Sequence, residues 1–472
     1  MLLPVLVVIM LPVCQSSRRG PAADPTGERV DTPALVEELV RLLHDNYLDA
    51  AVAEQCAERI REQNAAGVYG RARTPEELAQ AITADLQAVS HDLHMRVAVP
   101  PEFSAPEHSD DQAEEETAET HPLLESLGTY HFEKRGNFGV IDVKWLSENV
   151  GYLDLRAFLD LPRVRPKIES AMVLLSDMDA VIIDLRSLVR GGYPETVGFI
   201  AGYFFDEPTL LQRIVFPRTG SVDETWTLER TSGPDLSDVP LFILTSENVF
   251  SVGEAFTYGM QAQKRATVVG TTTKGGAHLT RSFRVEPGFD VYVPIGRSVH
   301  PVTGGNWEGV GVVSDVATDA ADALDVALGL AQFAAEERRM VRESEDRALT
   351  LDVEAHLFKA VGRYGEGMGE QGAQGLRHAF ELGLEGGVLT EDVINDVGYY
   401  CLEQGLVDAA VEALQFNVER FPDSPNAHDS LGEALVAAGR HAEAETSYRR
   451  ALELNPRLSS ARAALDRLEA GQ

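Results

Sequence analysis

The chain has 472 residues, too many for one ordinary core, so two or three domains are expected. Hydrophobic residues make up 44% and charged residues 25%, the balance of a globular protein rather than a disordered or fibrous one. Against 75 Asp and Glu stand 41 Lys and Arg, a net charge of −34 whose field repels phosphate backbones and argues against a nucleic-acid partner.

Residues 2–13, LLPVLVVIMLPV, are apolar without a break and lead into CQSSRRG. The run is too short to span a bilayer as a helix but suits the core of a signal peptide, so residues 1–23 are expected to direct export even though no basic residue precedes them. Cys14 follows the run directly and is the candidate for a lipid anchor, the sole membrane attachment expected, although LPVC fits a bacterial lipobox poorly. Cys56 and Cys401 remain. They lie far apart with no CxxC or Cys/His spacing, which predicts two free buried thiols and neither a disulfide nor a metal site.

Residues 30–100 read as helices. TPALVEELVRLLHDNY carries apolar residues at helical spacing, and TPEELAQAITADLQAV opens with a Thr cap and Pro at the first helical position. Residues 101–137 read as a solvated linker, centred on EHSDDQAEEETAET. From 138 to 335 the texture is α/β: FGVIDVKWL, VGYLDLRAF, AVIIDLR, PLFILT, ATVVGTTT and FDVYVPIG are short β-branched runs alternating with helical stretches, the pattern of a largely buried sheet. The last part, 350–472, contains a repeat. DVGYYCLEQGLVDAAVEALQFNVERFPDS aligns with SLGEALVAAGRHAEAETSYRRALELNPRL, Gly398 matching Gly432, Ala410 matching Ala444 and Pro422 matching Pro456. Small residues let paired helices approach, and proline ends each second helix. The two repeats either bind a peptide or protein partner in a groove or simply pack on the α/β domain.

Chemistry concentrates around LFILTSENVFSVGEAFTYGM, residues 241–260. A buried strand delivers the chain to the sheet's carboxyl end, and a helix begins beside Ser251. Ser251 reads either as that helix's cap or as a nucleophile whose oxyanion would be held by the unpaired N–H groups of the helix start. AVIIDLRSLVRGGYPET is a second strand-to-helix junction, in which Gly191-Gly192 permits close backbone approach. His91 and His94 in SHDLHMRVAV, and Glu308 in GGNWEGVGVVSDV, complete the residue types of a base-activated serine; their spacing does not prove that they converge.

Taken in order, NVGYLDLRAF, VIIDLR…GG, LTSENVFSVGEAF, RATVVGTTTKGGAH, VPIGRSVHPVTGGNWEGVGV and DALDVAL resemble the C-terminal processing, or tail-specific, serine proteases, over roughly residues 30–332. The likeness is to the branch of interphotoreceptor retinoid-binding protein modules and the tricorn core protease, followed by tetratricopeptide-like repeats. It implies an α/β crotonase-like ββα spiral with a helical N-terminal region, plus an all-α C-terminal domain. It further implies peptide-bond hydrolysis without metal or organic cofactor, on a peptide or protein substrate. Ser251 matches the nucleophile, His94 the base and Glu308 the acidic residue that orients it; the N–H groups of Val252 and of Gly191 or Gly192 match the oxyanion donors. In the Ser-Lys branch the lysine would fall at Gly276, with Lys274 two residues early. Leu93 stands where tricorn-like sites carry a hydroxyl residue, and no PDZ-like insert is evident. Modules of this fold also occur as binding proteins, so a non-catalytic carrier of apolar ligands or peptides is the alternative.

Overall fold

The computed structural model describes residues 30–100, 130–189, 191–229, 233–286 and 288–471. The expected leader, Cys14 and the acidic stretch 107–120 lie outside the described residues. The chain divides into two compact units, one ending at Glu336 and one beginning at Glu337.

In the first unit, helices Thr32–Asn46, Ala50–Ala65 and Pro75–Ser90 form where the sequence places them. Asp31, Asp49 and Thr74 each accept a backbone N–H at a helix start. The expected linker is in part structured, since residues 130–135 are helical. Eleven strands follow among the described residues: β1 Arg96–Ala98, β2 Val140–Leu146, β3 Val150–Leu155, β4 Ala180–Asp184, β5 Leu210–Val215, β6 Val222–Trp226, β7 Leu241–Thr245, β8 Ala266–Gly270, β9 His278–Val285, β10 Phe289–Val299 and β11 Val316–Ala317.

Six of them make one sheet in the order β11-β8-β7-β4-β3-β2, parallel except for the β2 edge. Its centre is buried on both faces, which is why its strands read as continuous apolar runs. One face packs Leu153, Ile183 and Ile243 against helices Leu161–Leu174, Pro194–Ala201 and Val252–Ala262. The other sets Tyr152, Ile182 and Leu244 against Ala323, Ala327, Ala331 and Ala335, a one-face alanine stripe that lets the helix lie close. The second sheet runs β1-β10-β5-β6 with β9 also on β10, and is antiparallel. Val285, Phe289, Val291 and Val293 of this sheet share a core with the N-terminal helices. This sheet seats β1, and with it the segment that carries His94, beside the parallel sheet's loops.

Helix Ala323–Gly365 runs well past 335, the boundary expected for the α/β region, because the charged run RRMVRESEDRALT contains no Gly or Pro to stop it. In the second unit, helices Glu391–Glu403 and Val407–Arg420 recur as Pro425–Ala437 and His441–Leu454, every boundary displaced by the same 34 residues, an offset obtained by subtracting 391 from 425 and so on. A Cβ on Gly398 would lie 2.5 Å from Leu414, and one on Gly432 would lie 2.6 Å from Tyr448, so each glycine is the contact point of its helix pair. Cys56 and Cys401 are both free and buried. Among the described residues no helix is long and apolar enough to cross a membrane.

Candidate active site

Strand β7 ends at Thr245, and the turn that follows uses its first serine structurally. Ser246 donates its hydroxyl to Arg186 O at 2.8 Å and accepts from Asn248 N. Ser251 is different. Its backbone sits at φ 56°, ψ −116°, a conformation that L-residues rarely adopt and that costs on the order of 1–3 kcal/mol. Its N–H donates to Glu254 Oε2 at 2.8 Å. Glu254 is wholly buried and also accepts from Thr273 Oγ1 and from Gly275 N and Gly276 N, at 2.5, 2.6 and 2.8 Å. Burial raises the pKa of this carboxyl, and the four donors oppose that rise.

Helix Pro75–Ser90 ends on His91, which is left-handed at φ 54°, and the chain turns there toward His94. Asp92 Oδ1 accepts the His94 N–H at 2.9 Å and fixes this turn. The His94 ring stacks on Phe250 with centroids 4.5 Å apart, and its Nε2 lies 3.0 Å from Ser251 Oγ. Two residues 157 positions apart thus meet at hydrogen-bond distance. Burial pulls the pKa of His94 down to about 4; Asp92 raises it, while His278 and Arg96 lower it further. A buried neutral imidazole is an acceptor for the serine proton.

Glu308 is not brought to His94. Its Oε2 accepts the Ala277 N–H at 2.6 Å and lies 3.6 Å from His278 Nδ1, while its Oε1 and His94 Nδ1 are both buried without a hydrogen-bond partner. Burial and the nearby Asp92 raise the Glu308 pKa, and His278 opposes them. The carboxylate beside His94 is Asp92, with Oδ1 4.0 Å from Nδ1. Asp92 Oδ2 accepts from His278 Nδ1 at 2.6 Å. Sequence reasoning assigned neither Asp92 nor His278 a role, although both stand inside quoted blocks, DLH and GGAH.

Asp92, His278 and Glu308 also have the composition of a metal-ligand set, their ligand atoms lying within 4.8 Å of one another. Ligands around a tetrahedral zinc at about 2.1 Å stand more than about 3 Å apart. The 2.6 Å between Asp92 and His278 is instead the separation of groups sharing a proton.

Gly191 and Gly192 cross in front of helix Val252–Ala262. A Cβ at Gly191 would meet Val252 Cγ1 at 2.0 Å, and Gly192 has φ 151°. Gly192, Val252, Ser251 and His94 all line a cavity of about 190 Å³, whose further walls include Val197, Ile214, Ala255 and Trp307. A second cavity of about 540 Å³, lined by Gly191, Phe250, Leu188 and Lys274, opens on the other side of Ser251. Val252 is the first helical residue, and no acceptor for its N–H occurs among the described residues. Lys274 lies with Nζ 5.3 Å from the Phe250 ring centroid. At Gly276, the position of the lysine in the Ser-Lys branch, a Cβ would fall 2.7 Å from His94 Cε1, so the imidazole occupies that space.

Residues 149–318 match the model of peptidase family S41. Residues 28–129 match the N-terminal domain of Peptidase_S41 in eukaryotic IRBP, and residues 425–458 match a tetratricopeptide repeat. A curated relative in Staphylococcus haemolyticus, described as "Probable CtpA-like serine protease", is 28% identical over 156 residues, which is 32% of this chain and 30% of the relative. Among solved structures, a candidate peptidase from Parabacteroides merdae aligns over 64% of this chain and 97% of its own, with 17% identity and a TM-score of 0.45. The photosystem II D1 C-terminal processing protease aligns over 62% and 94%, with 16% identity and a TM-score of 0.40. The tricorn protease aligns over 66% and 37%, with 14% identity and a TM-score of 0.41. The chain therefore carries a peptidase family S41 domain, preceded by the N-terminal domain that accompanies it in IRBP and followed by a tetratricopeptide repeat.

Proposed function

We propose that the protein is an exported serine endopeptidase. The observation that carries this reading is the 3.0 Å separation of Ser251 Oγ and His94 Nε2 at the wall of a cavity. Ser251 Oγ attacks the peptide carbonyl carbon while His94 Nε2 takes its proton. The oxyanion is held by the Val252 N–H together with an N–H of the Gly191-Gly192 loop. His94 then passes the proton to the departing amine, and water hydrolyses the acyl-enzyme by the same route in reverse. No step calls on a metal or organic cofactor. Export rests on the apolar run 2–13, with Cys14 as the proposed lipid-bearing residue, and the repeats at 391–454 are proposed to engage a protein partner.

The test is labelling by a fluorophosphonate serine probe, with cleavage of an unstructured protein substrate measured alongside. Wild-type protein is expected to label and cleave, and Ser251→Ala to do neither while melting at the same temperature. A folded wild type that neither labels nor cleaves refutes the proposal and favours a binding role for the same fold.

A further inference from the structure

We propose that Asp92, clamped by His278, is the carboxylate that positions His94 for proton transfer, and that Glu308 acts only on His278 from behind. This deepens the peptidase reading and rests on it. A base that turns into a cation inside a buried site needs a fixed negative group beside its second nitrogen. Asp92 meets that need in three ways. It is 1% exposed, so its charge is little screened. One of its oxygens binds the His94 backbone N–H at 2.9 Å and stands 4.0 Å from the ring Nδ1, so the group that fixes the loop also stands beside the imidazole's second nitrogen. The other oxygen is held by His278 Nδ1 at 2.6 Å, which prevents the carboxylate from rotating away.

Glu308 lacks these features. Its Oε2 is engaged by the Ala277 N–H and lies near His278, and no ion pair links it to His94. The order through the site is thus Ser251, His94, Asp92, His278, Glu308. The 4.0 Å gap to Nδ1 closes to a hydrogen bond by a small rotation of the His94 ring as it becomes charged, a tightening common once substrate binds.

The charged or titratable groups around His94 include Asp92 on its own turn, Arg96 on β1, His278 on β9, Lys274 in the same cavity and, beyond His278, Glu308. Replacing Asp92 and replacing Glu308 give different expectations for His94, which separates positioning from mere structure. The experiment is NMR titration of His94 Cε1–H, assigned by its loss in His94→Gln, in wild type, Asp92→Asn, His278→Gln and Glu308→Gln, with kcat and KM on a cleaved peptide. Asp92→Asn is expected to lower the His94 pKa by about one pH unit. It should also cut kcat by about 10²-fold or more with little change in KM. His278→Gln, which frees Asp92 to rotate, is expected to cut kcat in the same way as Asp92→Asn, and Glu308→Gln to leave the His94 titration nearly in place.

A His94 titration that follows Glu308→Gln and ignores Asp92→Asn overturns the proposal. If Asp92→Asn does not fold, His278→Gln decides in its place, since an unchanged kcat there also overturns the proposal. The titration needs no turnover. Failure of the peptidase reading would appear separately, as absent labelling of the wild type.

Discussion

Replacing Gly276 by Ala should disconnect His94 from Ser251 while leaving the fold in place. The new Cβ would stand 2.2 Å from Phe250 Cε2 and 2.7 Å from His94 Cε1. Carbon atoms settle about 3.5–4.0 Å apart, so the imidazole must retreat by roughly 1 Å. Because His94 stacks on Phe250, both rings move together. A displacement of about 1 Å at a reacting group costs on the order of 10²-fold in rate. Overpacking itself costs about 1–3 kcal/mol. Position 276 is not in the positive-φ region, its N–H donates to Glu254 and its C=O accepts from the Trp307 indole, so an alanine keeps both bonds. The assay is the rate of fluorophosphonate labelling, with a thermal melt on the same sample. Labelling within about threefold of wild type at unchanged stability would refute the steric argument, and with it the claim that the imidazole leaves no room for a lysine at 276.

Acid should silence the enzyme only at low pH: with the His94 pKa near 4, the labelling rate is expected to hold down to about pH 5 and fall as pH drops through 4. The same group makes stability pH-dependent. Between the ordinary value of 6.5 and 4 the unfolded chain binds the extra proton, so stability declines as pH falls through that window, by up to about 3 kcal/mol from this residue, measurable by urea unfolding at several pH values. Glu254→Gln places an amide against donors that a carboxylate had accepted; a loss of more than about 2 kcal/mol and of most labelling is expected, and a change below about 0.5 kcal/mol would count against the buried-carboxylate argument. Gly432→Ala should destabilise the second unit by about 1–3 kcal/mol through the contact with Tyr448 and leave labelling unaltered, as followed by hydrogen exchange in 391–454 and by the probe.

How much was legible follows from where each signal is written. β3, β4, β7 and β8 lie in a sheet buried on both faces, so their apolarity is local and visible. The repeat is visible because small residues recur at one period. The second sheet is poorly visible: β6, VDETW, is largely exposed, and β9 alternates weakly, so neither carries a hydrophobic pattern to read. Ser251 and His94 were named from residue types and family likeness. Asp92 and His278 were not, because their pairing is a contact across 186 residues that no local pattern encodes. Glu308 is assigned to the base by analogy; its Oε2 lies 3.6 Å from His278 Nδ1, while Asp92 Oδ1 lies 4.0 Å from His94 Nδ1.

Ser251 caps its helix, and the partner of its backbone bears on the proposal that it is also a nucleophile. A capping serine has extended backbone angles and keeps its hydroxyl on the helix's own N–H groups. Here Ser251 and Glu254 do form a capping box, but the backbone is forced to positive φ and the hydroxyl also lies 3.0 Å from His94 Nε2. The strain persists because Glu254 over-determines the turn: one buried carboxylate takes the N–H of Ser251 and also the N–H groups of Gly275 and Gly276. The loop it holds carries the glycine against which His94 and Phe250 pack. The group that bends the serine's backbone therefore also sets the wall behind the imidazole, so the two reacting side chains are registered by one carboxylate rather than by two independent loops. A capping box alone has no need of such an arrangement, whereas the proposed nucleophile and base, which would have to meet within a few tenths of an ångström, do.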